Sequence, residues 1–315
     1  AASYNIPESG LADNYFHNKS LEQMTTYINS QTCATDCATG NKPPVGNADP
    51  CSAGTDIIPK GTPLCLTGSA TDDDDDALTY TWEQIDEDGE SGSPVDTLTE
   101  GATLTQAGAD GVTAGNSPFA PLFRSFPPSS GGFKRVFPST IDGSSTGTEF
   151  EVLPQVDRNM SFALTVRDCN GGVSCANREI TVMNGPLTIS SACGTVAAGS
   201  TTTVTLATNG SSCTNAKVYL SIDGGMNFPY DLGAVTYSDG AKTITIPNSV
   251  VATTTARFKI VCEDNPCAEF FQITPSDCTI TSGCVASTNY ILPTTSMTVS
   301  TGDAAANLSL QNIYG

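Results

Sequence analysis

The chain of 315 residues contains one histidine, His17, one tryptophan, Trp82, and only 13 lysines and arginines. A single histidine excludes a zinc centre built from several histidines. No two cysteines fall in a Cys-x-x-Cys pair, so a thiolate zinc site lacks its usual spacing. With 33 acids and a formal charge of −20, the chain repels nucleic acid and anionic membrane surfaces. No stretch approaches the roughly 20 consecutive apolar residues a membrane helix needs. No phosphate loop or dinucleotide fingerprint occurs. No signal peptide is recognisable either, so the sequence is expected to be a mature form with Ala1 as a processed end.

What remains is rich in Thr, Ser, Gly, Pro and Asp, with only 15% charged residues. That mixture suits many short strands joined by turns. The length suits two or three domains, each with its own core.

The run Asp72-Asp73-Asp74-Asp75-Asp76 interrupts this pattern. Adjacent carboxylates repel one another unless a cation sits among them. To its right Leu78, Tyr80 and Trp82 alternate with Thr79, Thr81 and Glu83, the period-two signature of a half-buried strand. An oxygen-rich loop at the end of a β-sandwich points to a hard divalent cation, Ca²⁺ before the geometrically stricter Mg²⁺. The rival reading is a solvated acidic turn.

Twelve cysteines argue for an oxidising compartment. The simplest connectivity is local: Cys33 with Cys37, Cys51 with Cys65, Cys169 with Cys175, Cys193 with Cys213, Cys262 with Cys267, Cys278 with Cys284. Spacing alone does not fix that pairing.

Along the chain, residues 1–41 form a segment with one short helix. Ser20-Leu21-Glu22-Gln23 reads as a capping box, and Leu21, Met24 and Ile28 recur at helical spacing, which predicts a helix over 20–29. His17, with no second histidine beside it, reads as a packed side chain. Asn41-Lys42-Pro43-Pro44 reads as a linker. Residues 42–185 are expected to form one sandwich, with strands near 55–58, 63–66, 78–84, 150–153, 161–168 and 178–183. A long acidic, Gly-rich insertion, about 86–117, is followed by the aromatic, Pro-rich stretch Pro118 to Phe126, and the aromatic stretch Phe119 to Phe137 as a whole is expected to strap over the sheet rather than to bind a partner. Residues 186–282 carry a second alternating set, Val204 and Leu206, Val218, Leu220 and Ile222, Ile244 and Ile246, Phe258 and Ile260. Turn signals separate them, as in an Ig-like sandwich. Ser221-Ile222-Asp223-Gly224-Gly225 fits a hairpin turn. In 283–315, Met297 and Val299, then Ala306, Leu308 and Leu310, alternate as strands without partners enough for a domain. The fold class is all-β: tandem Ig-like sandwiches with a short N-terminal helix and a C-terminal strand tail.

Several motifs, in order, resemble large secreted bacterial metzincins of the reprolysin-like group. Ala12-Asp13-Asn14-Tyr15-Phe16-His17-Asn18-Lys19-Ser20 and the short helix resemble the end of their catalytic domain. Lys42-Pro43-Pro44-Val45, Thr67-Gly68-Ser69-Ala70-Thr71-Asp72, Leu78 to Gln84, Phe123-Arg124-Ser125-Phe126, Phe150 to Pro154 and Leu164 to Asp168 are similar to a following polycystic-kidney-disease-type, cadherin-like module. Leu220 to Gly225 and Ala252 to Arg257 resemble the Ig-like module after it. The chain departs from the family in lacking the zinc motif and Met-turn. The resemblance therefore implies accessory modules, a fragment or processed product, and no protease activity. It also implies a Ca²⁺ loop of the form Asp-x-Asp-Gly-Asp, carried over as Asp72, Asp74 and Asp76, with Asp75 where the loop glycine would stand. Asp168, at a strand end, and Glu83 join the candidate metal ligands, with Asn47 and Asp49 more remote.

The expected function is that of an extracellular or cell-surface structural or adhesive protein, stiffened by Ca²⁺ and disulfides. Its unpartnered C-terminal strands point to head-to-tail self-association into a homopolymer or filament. The alternative is a set of binding modules that deliver a protease to protein or glycan surfaces. No catalytic residues are expected.

Overall fold

The computed structural model describes residues 15–32, 39–52, 56–86, 114–139, 151–191 and 194–283. Helix α1 (Asn18–Asn29) is followed by β1 (Val45–Asn47), β2 (Ile57–Ile58), β3 (Leu64–Thr67), β4 (Ser69–Thr71), β5 (Thr79–Gln84), β6 (Lys134–Phe137), β7 (Arg158–Arg167) and β8 (Val173–Val182). Then come β9 (Thr188–Ser191), β10 (Thr195–Ala197), β11 (Thr201–Ala207), β12 (Ala216–Ser221), β13 (Tyr230–Val235), β14 (Gly240–Thr245), β15 (Thr253–Cys262), β16 (Ala268–Ile273) and β17 (Cys278–Thr281). The architecture is all-β, two Ig-like sandwiches in tandem.

In the first sandwich, one sheet has the order β2-β8-β7-β5. Its spine is the β7–β8 hairpin, paired from Arg158↔Val182 to Arg167↔Val173. Alternation aims Trp82, Phe162 and Leu164 inward. They meet Leu64, Leu66 and Phe137 from β3 and β6, and all six are at most 1% exposed. Burying each such side chain contributes about 1.5–3 kcal/mol. The Trp82 indole N–H donates to the Phe133 carbonyl at 3.0 Å, so the one large polar-tipped core residue is satisfied. In the second sandwich β9, β11 and β14 form a three-stranded sheet. Val204, Leu206 and Ile244 of that sheet face Val218, Leu220, Phe258 and Ile260 of β12 and β15 in one buried cluster. The Ser221–Gly225 turn connects β12 to β13, with the Ser221 hydroxyl donating to Asp223 Oδ1 at 2.6 Å.

The two sandwiches share a sheet. β16, from the second, pairs antiparallel with β3, from the first, in the register Ala268↔Leu66, Glu269↔Cys65 and Phe270↔Leu64. β3 continues to β6, so one eight-stranded sheet crosses the boundary. Cys51 and Cys267 form a disulfide across it. Arg178 of β8 is 4% exposed there. Its Nη1 donates to the Ala48 and Cys267 carbonyls at 3.1 and 3.0 Å, and its Nη2 pairs with Asp56 at 2.6 Å. Asn265 Nδ2 donates to the same Asp56 oxygen at 2.9 Å.

Several expectations are corrected. The two disulfides between described residues are not local. Cys51 bonds Cys267 and not Cys65, and Cys213 bonds Cys262, with sequence separations of 216 and 49. The cause is strand pairing. β16 brings Cys267 to the loop after β1, while Cys65 lies mid-strand opposite Glu269. Cys65 remains a buried thiol, its pKa pushed up to about 11 chiefly by burial. Cys169 and Cys175 are exposed thiols, because the β7–β8 register places Cys175 opposite Thr165 rather than opposite the hairpin tip. Cys278 is disulfide-bonded to a partner outside the described residues. Cys33, Cys37, Cys193 and Cys284 lie outside them too, as do most of the acidic insertion and the tail 284–315.

The helix begins at Asn18, two residues before the expected Ser20, with His17 at its N-cap and no side-chain cap of its own. No strand covers 151–153. There Glu151 is buried instead as the partner of Arg135 at 2.7 Å. β6 was read as part of the aromatic strap. The strap itself is anchored by Leu122 N–H and Phe123 N–H on Gln84 Oε1, at 2.6 and 3.1 Å.

Candidate metal centre at the tip of the first sandwich

β5 and β7 run antiparallel with Thr79 opposite Arg167. The residues just beyond, the acidic loop before β5 and Asp168 after β7, therefore meet at one end of the sheet. Oxygens of Asp72, Asp76 and Asp168 all lie within 4.8 Å of one another. At that spacing each carboxylate pair repels by about 1 kcal/mol at water's dielectric and about 3.5 kcal/mol at an effective value near 20.

The loop is shaped around Asp72. Its Oδ1 accepts the N–H of Asp74 at 2.9 Å and of Asp76 at 3.2 Å, which turns the chain back and brings Asp76 beside it. Its Oδ2 is buried and has no hydrogen-bond partner. Asp75 adopts φ 56°, the left-handed conformation that glycine takes most readily. Asp168, 1% exposed, is held by its own hairpin tip. Oδ1 accepts the N–H of Asn170 and of Gly172, both at 2.8 Å. Oδ2 accepts Asn41 Nδ2 at 2.7 Å. The Asn41 bond, followed by the backbone bonds, holds this carboxyl below the ordinary aspartate range. Gly172 is required by the approach: a Cβ there would lie 2.0 Å from Asp168 Oδ2 and 2.8 Å from Pro43 Cα.

Of the five candidate ligands, the structure thus gathers Asp72, Asp76 and Asp168. Asp74 points elsewhere, its Oδ2 accepting the Lys42 N–H at 2.6 Å. Lys42 Nζ pairs with Asp73 at 3.4 Å, outside the trio. Glu83 is not a ligand. It pairs with Ala163, four rungs from the Thr79–Arg167 end, which is roughly 13 Å along the strand. Its Oε1 accepts the Ser125 hydroxyl at 2.9 Å and contacts His17 Nδ1 at 2.7 Å, and its Oε2 accepts the Asn18 N–H at 2.8 Å. It therefore caps α1 from another element. Asn47 accepts the N–H of Asp49, and Asp49 pairs with Arg178 at 3.2 Å, so neither joins the trio.

Three carboxylates with one buried, unsatisfied oxygen are a donor set suited to a hard, oxygen-seeking cation of the Ca²⁺ kind, with waters or main-chain carbonyls completing six to eight ligands. A second grouping, Cys213, Cys262 and Asp264, is no metal centre. Its thiols form a disulfide, and Asp264 accepts the N–H groups of Thr214 and Asn215, each at 2.7 Å. Sequence reasoning missed Asn41 and Lys42, which it read as linker. An Asn beside a Pro-Pro stiffener gives no sign of which acid it will reach.

No family model matches the chain, and no curated protein matches it. Among solved structures, the N-terminal Ig1-2 module of the Drosophila receptor protein tyrosine phosphatase DLAR aligns at 13% identity and a TM-score of 0.31, over 76% of this chain and 100% of that one. The fibronectin(III)-like modules of Clostridium thermocellum CbhA align at 8% identity and a TM-score of 0.23, over 76% and 94%. A Bacteroides ovatus mixed-linkage glucan utilisation protein, SGBP-B, aligns at 14% identity and a TM-score of 0.18, and only 48% of its length is covered. At such scores the chain's own strand pairing, and not these neighbours, defines its architecture. That architecture makes it a disulfide-bonded, all-β tandem of Ig-like sandwiches. Among the described residues no helix is long and apolar enough to cross a membrane.

Proposed function

We propose that this is an extracellular structural or adhesive protein whose sandwich tip is fixed by Ca²⁺ at Asp72, Asp76 and Asp168, and which self-associates head to tail. The observation that carries the reading is the sheet shared by β3 and β16 and clamped by Cys51–Cys267. A joint built of main-chain hydrogen bonds and a covalent bridge transmits load between modules, which a flexible linker does not. Disulfides of this kind belong to an oxidising compartment. The self-association rests on the alternating apolar–polar sequence of the C-terminal tail, a pattern that would suit completing an open sheet edge on a neighbour.

Electron microscopy and light scattering of the full chain, with and without a chelator, test this beside a chain ending at Gly283. Filaments or long oligomers that shorten on truncation are expected. Monomers of the same mass per chain length in both would defeat the reading. The second reading, accessory modules of a secreted metalloprotease precursor, rests on the order of the sequence motifs. Saturable binding of monomers to a protein or glycan array would favour it.

A further inference from the structure

We propose that the open edge of β8, over 173–177, is the seat of the C-terminal tail of a second copy, whose residues 306–311 add to it as a strand beside α1. The proposal rests on the head-to-tail reading above and names the edge that reading needs. In the β7–β8 ladder alternate residues of β8 turn their main-chain groups towards β7, and at its tip the Gly172 carbonyl accepts the Asp168 N–H at 3.2 Å. The others turn theirs away, as Thr181 and Met183 do when their N–H groups donate to the Asp56 and Ile58 carbonyls at 2.7 and 3.0 Å. β2 has only two residues and pairs with Thr181 and Val182 alone. Val173, Cys175 and Asn177 share the parity of Thr181, and among the described residues no strand covers them on that side. β1 pairs with β4 instead, its only bond to this stretch running from the Gly46 N–H to Ser174 Oγ at 3.0 Å.

The same three residues line a groove of about 910 Å³ that Leu21, Met24 and Ile28 of α1 line from the other side. Ile28 is 61% exposed and Val173 38%. From 173 to 177 the edge has neither charge nor proline, the usual devices that keep a sheet edge from pairing. Two other edges of this sandwich are blunted. β6 starts at Lys134 and is followed by Pro138, and Tyr80 of β5 exchanges both main-chain bonds with Ser129, at 2.9 and 3.1 Å. The tail suits an uncharged groove: of residues 284–315 only Asp303 is charged, and Ala306, Leu308 and Leu310 alternate with Asn307, Ser309 and Gln311. An added strand would turn its apolar side to α1 and keep its polar side outward. The places fit as well. β8 ends at Val182, where the chain crosses into the second sandwich, so its start at Val173 and the groove lie at the end remote from the joint. β15 ends at Cys262, whose partner Phe270 also pairs with Leu64 of the first sandwich. Thr253, at the other end of β15, pairs with Ile280 of β17, so the chain leaves the second sandwich at its remote end. In a row of copies the tail of one faces the groove of the next.

The test follows the full chain from low to high concentration by sedimentation velocity and hydrogen exchange, beside two variants. Asn177→Pro removes an outward N–H that β8 does not use. Met24→Glu puts a charge on the helix wall of the groove, away from the ladder, and decides the matter if the proline disturbs the sheet. The expected result is slower exchange of the Val173, Cys175 and Asn177 amides on assembly, with assembly shifted to about tenfold higher concentration in each folded variant. Assembly that Met24→Glu leaves unchanged, with unchanged exchange at those amides, in a chain that still loses its assembly when it ends at Gly283, overturns the edge assignment and leaves the head-to-tail reading standing. Protection that persists on dilution and disappears when the chain ends at Gly283 overturns it too, since the tail would then close on its own copy. Monomers of the wild type at every concentration overturn both.

Discussion

Burying a carboxylate costs several kcal/mol unless hydrogen bonds and nearby charge offset the lost hydration, and Glu83 has both. It is 2% exposed. Burial alone would raise its pKa, but the bonds from His17, Asn18 and Ser125 outweigh burial and bring it below the ordinary glutamate value. The sign follows. A folded-state pKa below the unfolded one contributes stability that is complete above the unfolded value and is lost as pH falls through the folded one. Glu83→Gln should therefore destabilise the docking of α1 by about 1–3 kcal/mol at neutral pH and flatten the acid limb of stability below the ordinary glutamate range. Hydrogen exchange of α1 against pH measures both, and an acid limb unchanged in the variant would show that other carboxylates govern it. The same residue shows where sequence reading stops. Glu83 follows the aspartate run by only a few residues, so it looked like a ligand. Asp168, remote in sequence, was placed correctly because a strand end followed by Asn-Gly-Gly fixes a hairpin tip. Proximity in a chain that is about to become a strand means distance in space.

At the scale of elements, alternation was a dependable guide wherever a strand has one wet face. Val204, Val218, Ile244 and Phe258 all face the second core as expected. It failed for β6, where Lys134-Arg135-Val136-Phe137 does not alternate in polarity, because the partly buried Arg135 guanidinium lies against the rings of Phe126 and Phe137, 4.6 and 4.3 Å from their centroids. It could not reveal the β3–β16 pairing, since a sheet edge has the same local pattern whether its neighbour is solvent or another sandwich. The disulfide misassignment follows from that omission. The Cys51–Cys267 bridge spans 216 residues, and in the chain-entropy account a closure of that length is worth up to about 5 kcal/mol. Replacing both cysteines together, Cys51→Ser with Cys267→Ser, should lower unfolding stability by about 2–5 kcal/mol in urea titration under non-reducing conditions. A loss below about 0.5 kcal/mol would mean that β16 and the Arg178 clamp hold the junction unaided.

At the scale of the molecule, a charge of −20 raises the cost of compaction through self-repulsion, and any cation that binds only the folded state offsets it. Calcium at one hundred times its dissociation constant adds about 2.7 kcal/mol, which for a body of this size raises Tm by on the order of 5 °C. Because one sheet runs through both sandwiches, that gain should not stay in the module that binds the ion. Unfolding the first sandwich strips β3 from β16, exposes the main-chain groups of β16 and removes Arg178 from the Cys267 carbonyl, so the second sandwich loses its edge at the same moment. Differential scanning calorimetry of the full chain should therefore show 15–283 melting in one transition that calcium moves as a whole. The variant combining Asp72→Asn with Asp168→Asn should melt in one transition that calcium leaves in place. Two resolved transitions, of which calcium shifts only the first, would mean that the shared strands pair without coupling, and the load-transmitting joint on which the structural role depends would be absent.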